Sequence, residues 1–253
     1  PYLKKLDVEE YKNNPYYKNI VPKCKKTGKW TLKYQTYNPY ELFVCNDLTI
    51  DNCYEYPNIG YFSEEFKYLT VLENNHEWML ITPNEIETMK KPIDKAFGNV
   101  ITFGLGLGYF AYMVSLKDSV KSITVVEKDK DVIELFNSKI LPFFEHKNKI
   151  KIINADAFEI MKQGINDYDY CFIDIWHDAS DGVPFYVKFK QLEKFNNNVI
   201  IDYWVETTLV SYIKWYLYSN FNELKKLNKL SKDVEINDIL NNEYINKILV
   251  EKN

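Results

Sequence analysis

One stretch of sequence constrains the fold of this chain more than any other: Asn99-Val-Ile-Thr-Phe-Gly-Leu-Gly-Leu-Gly-Tyr-Phe110. Its apolar start predicts a buried strand, its glycines a turn, and Tyr109 to Leu116 the helix that follows. Because glycine has no Cβ, a ligand can approach the backbone closely at Gly104, Gly106 and Gly108. The helix N-terminus adds unpaired N–H groups at the same place. The stretch therefore predicts a strand–turn–helix unit that can bind a ligand.

An acidic residue follows this unit at the end of the next apolar run, where Glu127 comes after Ile123-Thr-Val-Val126. A carboxylate at the end of the second strand can accept both hydroxyls of a ribose, as in nucleoside-binding doubly wound folds. A short glycine pattern alone also fits a tight connection without a ligand. The order of strand, glycines, helix, strand and acid favours a nucleoside site.

From residue 99 to about 205 the pattern alternates between strands and helices. Strands are predicted at 100–103, 123–127, 150–153, 170–174 and 199–203. Helices are predicted near 108–116, 130–139, 156–163 and 184–195. Such alternation indicates an α/β, doubly wound, Rossmann-like fold with a mostly parallel sheet, in which ligands bind at the carboxyl ends of the strands.

The flanking regions have different patterns. Residues 1–82 alternate polar with aromatic or β-branched residues and predict a small antiparallel β unit, with hairpin turns at Asn46-Asp47 and Asn74-Asn75. Residues 206–253 are helical in pattern, with apolar side chains that we expect to pack on the core. We therefore predict an N-terminal β unit over 1–82, a nucleoside-binding core over 83–205 and a C-terminal helical segment over 206–253.

The core is predicted to open with a helix from residue 83 to about 97. Thr82 can cap it, Pro83 suits its first position, and Glu85 completes a capping box with Thr82. Pro92 predicts a kink, and Gly98 ends the helix.

Composition restricts the class of partner. The formal net charge of −4 argues against nucleic acid as a sequence-independent partner, because phosphate neutralisation needs a basic surface. No apolar run is long enough to span a membrane. We expect a small-molecule substrate, and a homodimer stays open.

The cysteines and histidines carry little chemistry by their spacing. Cys24, Cys45, Cys53 and Cys171 form no C-x-x-C pair, and the histidines are scattered, so no metal site is predicted. This use of cysteine fits a reduced, cytoplasmic enzyme. The chain begins with Pro1 rather than methionine, so N-terminal targeting is left open.

Acidic side chains follow the later strands at the same predicted edge of the sheet. The third strand is followed by Asp156, the fourth begins its loop with Asp174, and the fifth contains Asp202. Each could instead cap a helix. If Asp174, Asp178, Asp181 and Asp202 share one cleft, they favour a cationic or amine substrate.

At this point residues 99–178 resemble the core of class I S-adenosylmethionine-dependent methyltransferases, and within them the spermidine synthase-like branch. The resemblance rests on Val-Ile-Thr-Phe-Gly-Leu-Gly-Leu-Gly (100–108), Val-Val-Glu-Lys-Asp (125–129), Asn-Ala-Asp-Ala-Phe (154–158) and Tyr-Asp-Tyr-Cys-Phe-Ile-Asp (168–174). The antiparallel unit before the core is also similar to that branch.

The resemblance implies a role for each matching position. The three glycines would line the methionine and ribose part of S-adenosylmethionine, and Glu127 would hold the ribose hydroxyls. Asp156 would bind the adenine amino group beside the Ala157 backbone. Asp174 would lie near the sulfonium and the substrate. His177, three residues on, could act as a general base near neutral pH.

The sequence departs from the aminopropyltransferase pattern at two positions. Leu107 stands where those enzymes carry an aspartate in the glycine loop, and His177 replaces the second acid of their Asp-x-x-Asp motif. We therefore expect a methyltransferase that uses S-adenosylmethionine on an undetermined, amine-bearing acceptor. The alternative is an aminopropyltransferase that uses decarboxylated S-adenosylmethionine.

Two further readings stay open below these. Gly106-Leu-Gly108-Tyr-Phe-Ala111 also fits the dinucleotide pattern of an NAD(P)-dependent oxidoreductase. The Asn-Ala-Asp-Ala segment favours adenine recognition of the methyltransferase type over it. A non-catalytic nucleoside-binding module would keep the fold without turnover.

Overall fold

A computed structural model describes residues 3–51, 54–239, 241 and 245. The strands are β1 Leu3–Lys5, β2 Lys25–Thr27, β3 Trp30–Tyr37, β4 Phe43–Asp51, β5 Tyr54–Tyr61, β6 Phe66–Glu73, β7 His76–Leu80, β8 Gly98–Phe103, β9 Val120–Glu127, β10 Ile150–Asn154, β11 Tyr170–Ile173 and β12 Ile200–Tyr203. The helices are α1 Val8–Lys12, α2 Pro15–Asn19, α3 Pro83–Lys95, α4 Tyr109–Ser115, α5 Lys130–Lys139, α6 Ala157–Gln163, α7 Ala179–Leu192, α8 Glu206–Lys226 and α9 Ile236–Ile239.

The predicted α/β core is confirmed. Its sheet has the order β10-β9-β8-β11-β12, with every neighbouring pair parallel. The chain leaves the central strand β8 towards β9 and β10 on one side, and β11 and β12 lie on the other, so strand order reverses between β8 and β11. In doubly wound sheets a ligand crevice forms outside such a reversal. The glycine loop after β8 and Asp174 after β11 lie at this point.

The strands β8 and β11 at the centre of the sheet are mostly apolar, and helices flank the sheet. Every residue of β11 is buried, and β8 is buried from Val100 to Phe103. A parallel strand covered on both faces reads as a continuous hydrophobic run rather than an alternating one. This is the physical reason why the strands of the core were readable from sequence.

The N-terminal region forms two small sheets rather than one. The order β2-β3-β6-β7 is antiparallel throughout, and its β6–β7 hairpin turns at Asn74-Asn75, both with positive φ, as predicted. The second sheet has the order β1-β5-β4, with β1 parallel to β5. The antiparallel unit is thus confirmed for most of its strand pairs.

The predicted hairpin turn at Asn46-Asp47 is wrong. Both residues lie within β4, where its pairing with β5 shifts register on either side of Asn46. The irregularity frees the Asp47 carboxylate to accept the backbone N–H groups of Thr207 and Thr208 at the start of α8. Asp47 therefore caps a helix that lies far away in the chain.

Two helix starts also differ from the prediction. Thr82 and Pro83 hold the predicted cap and first positions of α3, but Thr82 makes no side-chain capping bond, so the capping box with Glu85 is wrong. The helix predicted from 184 begins earlier, at Ala179, because Asp178 and Asp181 form a capping box there. Pro184 lies inside this helix.

The C-terminal segment is helical in α8 and α9, and α8 packs against α7 and β4. The predicted helical pattern beyond Ile239, apart from 241 and 245, lies outside the described residues, as does Cys53. Nowhere in the described chain does a helix combine the length and apolar character that crossing a membrane requires.

Candidate active site

A cavity of about 710 Å³ opens at the strand reversal, between the carboxyl ends of the parallel strands and the N-terminal sheets. This volume suits a cofactor together with a small substrate. All the residues predicted from sequence to form the site lie on its wall: Gly104, Gly106, Gly108, Glu127, Asp156, Ala157, Asp174 and His177. Their roles in binding and catalysis stay predictions.

The three positions of the loop require glycine for different physical reasons. A Cβ on Gly104 would lie 1.8 Å from the Asp174 carbonyl oxygen, and one on Gly108 would lie 2.4 Å from Cε2 of Phe136. Both are therefore required by the packing of the protein itself. Gly106 differs, because a Cβ there would meet nothing within 4 Å, and the residue has a φ of 51°. It is the glycine whose empty surroundings leave room for a ligand.

Glu127 connects the glycine loop to the second strand. One carboxylate oxygen accepts the Leu105 N–H at 3.2 Å, and the other accepts the Asp129 N–H at 2.8 Å. The side chain thus fixes the loop and still has lone pairs directed at further donors. This geometry fits a carboxylate that holds ribose hydroxyls.

Asp156 caps α6, so the capping role weighed from sequence is present. Its Oδ1 accepts the N–H groups of Phe158 and Glu159. Behind it Phe158 stacks on Phe189 with ring centroids 4.4 Å apart. Ala157 and Phe158 line the cavity here and present an apolar surface beside the Asp156 cap.

The N-terminal region braces the loop from outside the core. The fully buried Tyr16 of α2 donates its hydroxyl to the Leu107 carbonyl at 2.6 Å. Asn14 donates to the Tyr109 hydroxyl at 2.9 Å. The composition of Asn14-Pro15 is typical of a turn, so the local sequence does not indicate this contact. The pair instead caps and starts α2, with Pro15 at a first-turn position.

Glu85 is the site residue that sequence reasoning missed. It lies in the first turn of α3, lines the cavity, and is close enough to Asp174 for that charge to act on it. Burial raises the pKa of Asp174 to about 7. Burial and the Asp174 charge together raise the pKa of Glu85 well above its usual range. A capping role had hidden it, since Glu in a first helical turn is ordinary.

The other acidic side chains of the wall all have partners within the protein. Glu73 pairs with Lys29, Asp129 caps α5, and Asp178 caps α7. Glu127 and Asp156 accept the backbone bonds described above. By contrast, neither Glu85 nor Asp174 forms a side-chain hydrogen bond or ion pair with any residue that the structure describes. Two carboxyl groups that line a cavity and have no cationic partner can bind a cation there.

His177 lies at the mouth of the cavity. Its Nε2 is 3.2 Å from the Glu77 carbonyl oxygen, its Nδ1 is 3.5 Å from a carboxylate oxygen of Asp178, and its ring lies 5.3 Å from that of Trp78. Both ring nitrogens thus face acceptors. A general base needs a free nitrogen, so this geometry favours a clamp between β7 and the loop after β11.

The four aspartates Asp174, Asp178, Asp181 and Asp202 do not share one cleft. Asp174 and Asp178 line the cavity, whereas Asp181 belongs to the capping box of α7. Asp202 binds Lys95 at 2.9 Å and accepts the Tyr170 hydroxyl at 2.7 Å. A cationic substrate in this cavity would therefore lie near Glu85 and Asp174 rather than near all four aspartates.

Comparison with protein families gives a match over the core of this chain. Residues 79–198 match the family model of the spermine/spermidine synthase domain. The spermidine synthase from Thermotoga maritima is 16% identical with a TM-score of 0.40, over 58% of this chain and 56% of that chain. A spermidine synthase in complex with the transition state analogue AdoDATO is 18% identical with a TM-score of 0.40, over 54% and 51%.

A further similar structure is that of a protein from Klebsiella pneumoniae described as an O-methyltransferase. It is 14% identical with a TM-score of 0.30, over 39% of this chain and 43% of that chain. The match spans about half the length of the spermidine synthases named above. No curated protein matches the chain.

The prediction of a methyltransferase is wrong, because the matching family model is that of spermine and spermidine synthases. The sequence argument disfavoured aminopropyl transfer since Leu107 leaves the glycine loop without an acid. In the structure Leu107 is buried and its carbonyl binds Tyr16, while Glu85 brings a carboxyl group to the cavity from a different element.

Proposed function

We propose that this protein is an aminopropyltransferase that moves an aminopropyl group from decarboxylated S-adenosylmethionine to an amine. The observation that carries the proposal is the carboxyl pair Glu85–Asp174, which has no cation partner among the described residues and lies beside the glycine loop. Both reactants of such a transfer carry ammonium groups, and a pair of half-buried carboxyl groups without a cation partner favours positive charge. The match to the spermine/spermidine synthase domain supports the same reaction.

The residues of the other end of the cavity fit the nucleoside part of this donor. Gly106 leaves open space above the loop, Glu127 offers a carboxylate to the ribose, and the wall at Ala157 and Phe158 suits adenine. When bound, the donor supplies a methylene carbon activated by the neighbouring sulfonium, with a neutral thioether as the leaving group.

Asp174 is the residue that would handle the proton of the reaction. The acceptor nitrogen attacks the methylene carbon as the carbon–sulfur bond breaks, and the bond pair stays on sulfur. The nitrogen must lose a proton, and the Asp174 carboxylate can accept it. Burial raises the pKa of Asp174 to about 7, which makes it a stronger base than an exposed aspartate.

Alignment supplies most of the remaining rate. Displacement at carbon needs the nucleophile, the carbon and the sulfur in line, and little covalent help. The loop that would hold the sulfonium is fixed by Glu127 from one side and Tyr16 from the other. The apolar rings of Trp176 and Trp204 line the same cavity and limit water.

The proposal is tested by product analysis. The protein is incubated with putrescine or spermidine and with either decarboxylated S-adenosylmethionine or S-adenosylmethionine, and the products are identified by mass spectrometry. We expect 5′-methylthioadenosine and an aminopropylated amine with the decarboxylated donor alone. Formation of S-adenosylhomocysteine and a methylated amine, or no product from the decarboxylated donor with either amine, contradicts the proposal. Asp174→Asn serves as the inactive control.

A further inference from the structure

The unpaired carboxyl groups come from elements that are distant in the chain. Glu85 belongs to the first turn of α3, and Asp174 follows β11. Because Thr82 makes no side-chain cap bond and the Glu85 carboxyl group forms no hydrogen bond with a described residue, the Glu85 side chain is free to face the cavity. The pair is therefore a product of the tertiary fold.

The charged groups around this pair are negative or distant. Burial raises the pKa of Tyr37 on β3 most, and the charge of Glu77 on β7 raises it further. The charge of Glu85 adds the smallest contribution, so Tyr37 lies near Glu85. From the loop after β11, His177 and Asp178 lie at the mouth and contact each other.

The lysines that line the cavity lie at its end near Glu127, Asp129 and Asp156, which we call the nucleoside end. Lys128 follows Glu127, and Lys29 is paired with Glu73 and Asp129. In the part of the chain that the structure describes, no lysine lies on the wall beside Glu85 and Asp174.

Two carboxyl groups held together in a poorly solvated site cannot both ionise without a counter-charge. The first proton leaves with an ordinary burial penalty, and the second leaves against the charge of its neighbour. The directions of both titrations agree with this geometry, since Glu85 is raised by burial first and by Asp174 second.

We propose that Glu85 is a positioning residue for Asp174: in the ligand-free cavity the two carboxyl groups together carry one proton, and an entering ammonium group replaces it. This inference rests on the proposed amine acceptor. The charges balance, because a singly protonated pair and an ammonium give a doubly ionised pair, the bound ammonium and one released proton. Asp174 is thereby left ionised, ready to accept the proton of the attacking nitrogen.

The experiment measures proton release on amine binding without a donor, so that no transfer can occur. Putrescine and spermidine are titrated into the protein near pH 8 by calorimetry in buffers of different ionisation enthalpy. We expect release of about one proton per amine for the native protein and a small fraction of that for Glu85→Gln, whose affinity falls roughly tenfold or more. The matched control is Glu87→Gln on the same helix, which binds Tyr11 and Lys90 outside the cavity wall and behaves as the native protein.

A second measurement needs no ligand. Carboxyl carbons labelled with ¹³C are followed by NMR titration of the free protein. We expect two coupled steps, one near pH 7 and the other displaced above the usual range of a glutamate, and a single step in Glu85→Gln. Two independent steps near pH 4, equal proton release in Glu85→Gln, or no binding of either amine overturns the inference.

The outcomes also separate this inference from the proposed function. Proton-linked amine binding without aminopropyl transfer leaves the inference standing and removes the function. Aminopropyl transfer with unchanged proton release in Glu85→Gln does the reverse.

Discussion

The two ends of the cavity solve opposite electrostatic problems. At the nucleoside end Glu127, Asp156 and Asp129 each accept backbone N–H groups, so their charges are compensated before any ligand binds. At the other end Glu85 and Asp174 have no such partner in the described chain. On the proposed function, the first end is preorganised for hydroxyls and a base, and the second favours a positively charged group.

This difference has a physical cost that function can explain. A buried carboxyl group without a partner destabilises the fold when it ionises, whereas a capped one does not. A fold selected for stability alone would lose Glu85 or pair it. The contrast therefore distinguishes the carboxyl groups that stabilise the fold from the two that we propose bind a cation.

The largest expected effect comes from the loop that joins both ends. Gly104→Ala would place a Cβ 1.8 Å from the Asp174 carbonyl oxygen at a φ of 94°, and we expect a loss of roughly 3 kcal/mol or more of stability. Urea unfolding measures it. The matched Gly106→Ala has open space and loses only ~1 kcal/mol, yet it should lose adenosyl-ligand binding. Equal destabilisation of both variants would contradict the assignment.

The next effect isolates the nucleoside end. Glu127→Ala removes the hydrogen bonds from the Leu105 and Asp129 N–H groups and the proposed ribose acceptor, and we expect adenosyl-ligand affinity to fall about 100-fold. Calorimetry with 5′-methylthioadenosine, which carries no aminopropyl chain, measures it. The exposed Glu134→Ala is the control. If Glu127→Ala weakens putrescine binding as strongly, the two ends are not separate.

Bracing from the N-terminal helix should have a smaller effect. Tyr16→Phe leaves the Leu107 carbonyl without its donor, and we expect ~1–2 kcal/mol of destabilisation with weaker binding of 5′-methylthioadenosine. Tyr112→Phe is matched, because its hydroxyl bonds to Asn19 instead of the loop. Thermal unfolding together with calorimetry distinguishes them: both lose stability, and only Tyr16→Phe loses ligand affinity.

The cation end predicts a stability effect of opposite sign. Because burial raises the pKa of Asp174 in the folded protein to about 7, above its unfolded value, ionisation lowers stability as pH rises from about 4 through 7. Asp174→Asn removes that penalty. We expect its midpoint of thermal unfolding to exceed that of the native protein by ~2–5 °C near pH 8 and by less near pH 5. A lower midpoint near pH 8 would show that Asp174 has a stabilising partner.

The smallest effect concerns the mouth. If His177 is a clamp, His177→Ala changes kcat by less than about threefold, whereas loss of a general base costs roughly a hundredfold or more. Steady-state rates across pH separate the two. A large fall in kcat with loss of one limb of the pH profile would restore the catalytic role that the sequence predicted.

The sequence predicted the nucleoside end better than the cation end for a physical reason. The glycines, Glu127 and Asp156 lie within a few residues of strand ends that hydrophobic runs reveal, so local pattern places them at one edge. Glu85 reaches the cavity through the packing of α3, and Tyr16 reaches the glycine loop through the packing of α2, which no local pattern encodes. Both residues also fit ordinary local roles, a first-turn acid and a turn aromatic, and these roles concealed them.

The same limit explains the errors in the fold. Asn46-Asp47 has the composition of a turn, but strand pairing and the start of α8 make use of it as a bulge and a distant cap. The start of α7 depends on a capping box that apolar periodicity does not show. Core strands needed neither kind of information.

The central claim is that one end of the cavity recognises the nucleoside and the other recognises charge. Calorimetric titration of the native protein, Glu85→Gln and Asp174→Asn with decarboxylated S-adenosylmethionine and with 5′-methylthioadenosine tests it most directly. We expect the native protein to bind decarboxylated S-adenosylmethionine more tightly than 5′-methylthioadenosine. Each substitution should weaken binding of decarboxylated S-adenosylmethionine roughly tenfold and leave the affinity for 5′-methylthioadenosine unchanged. An equal loss of affinity for both ligands, or no preference in the native protein, would contradict the account.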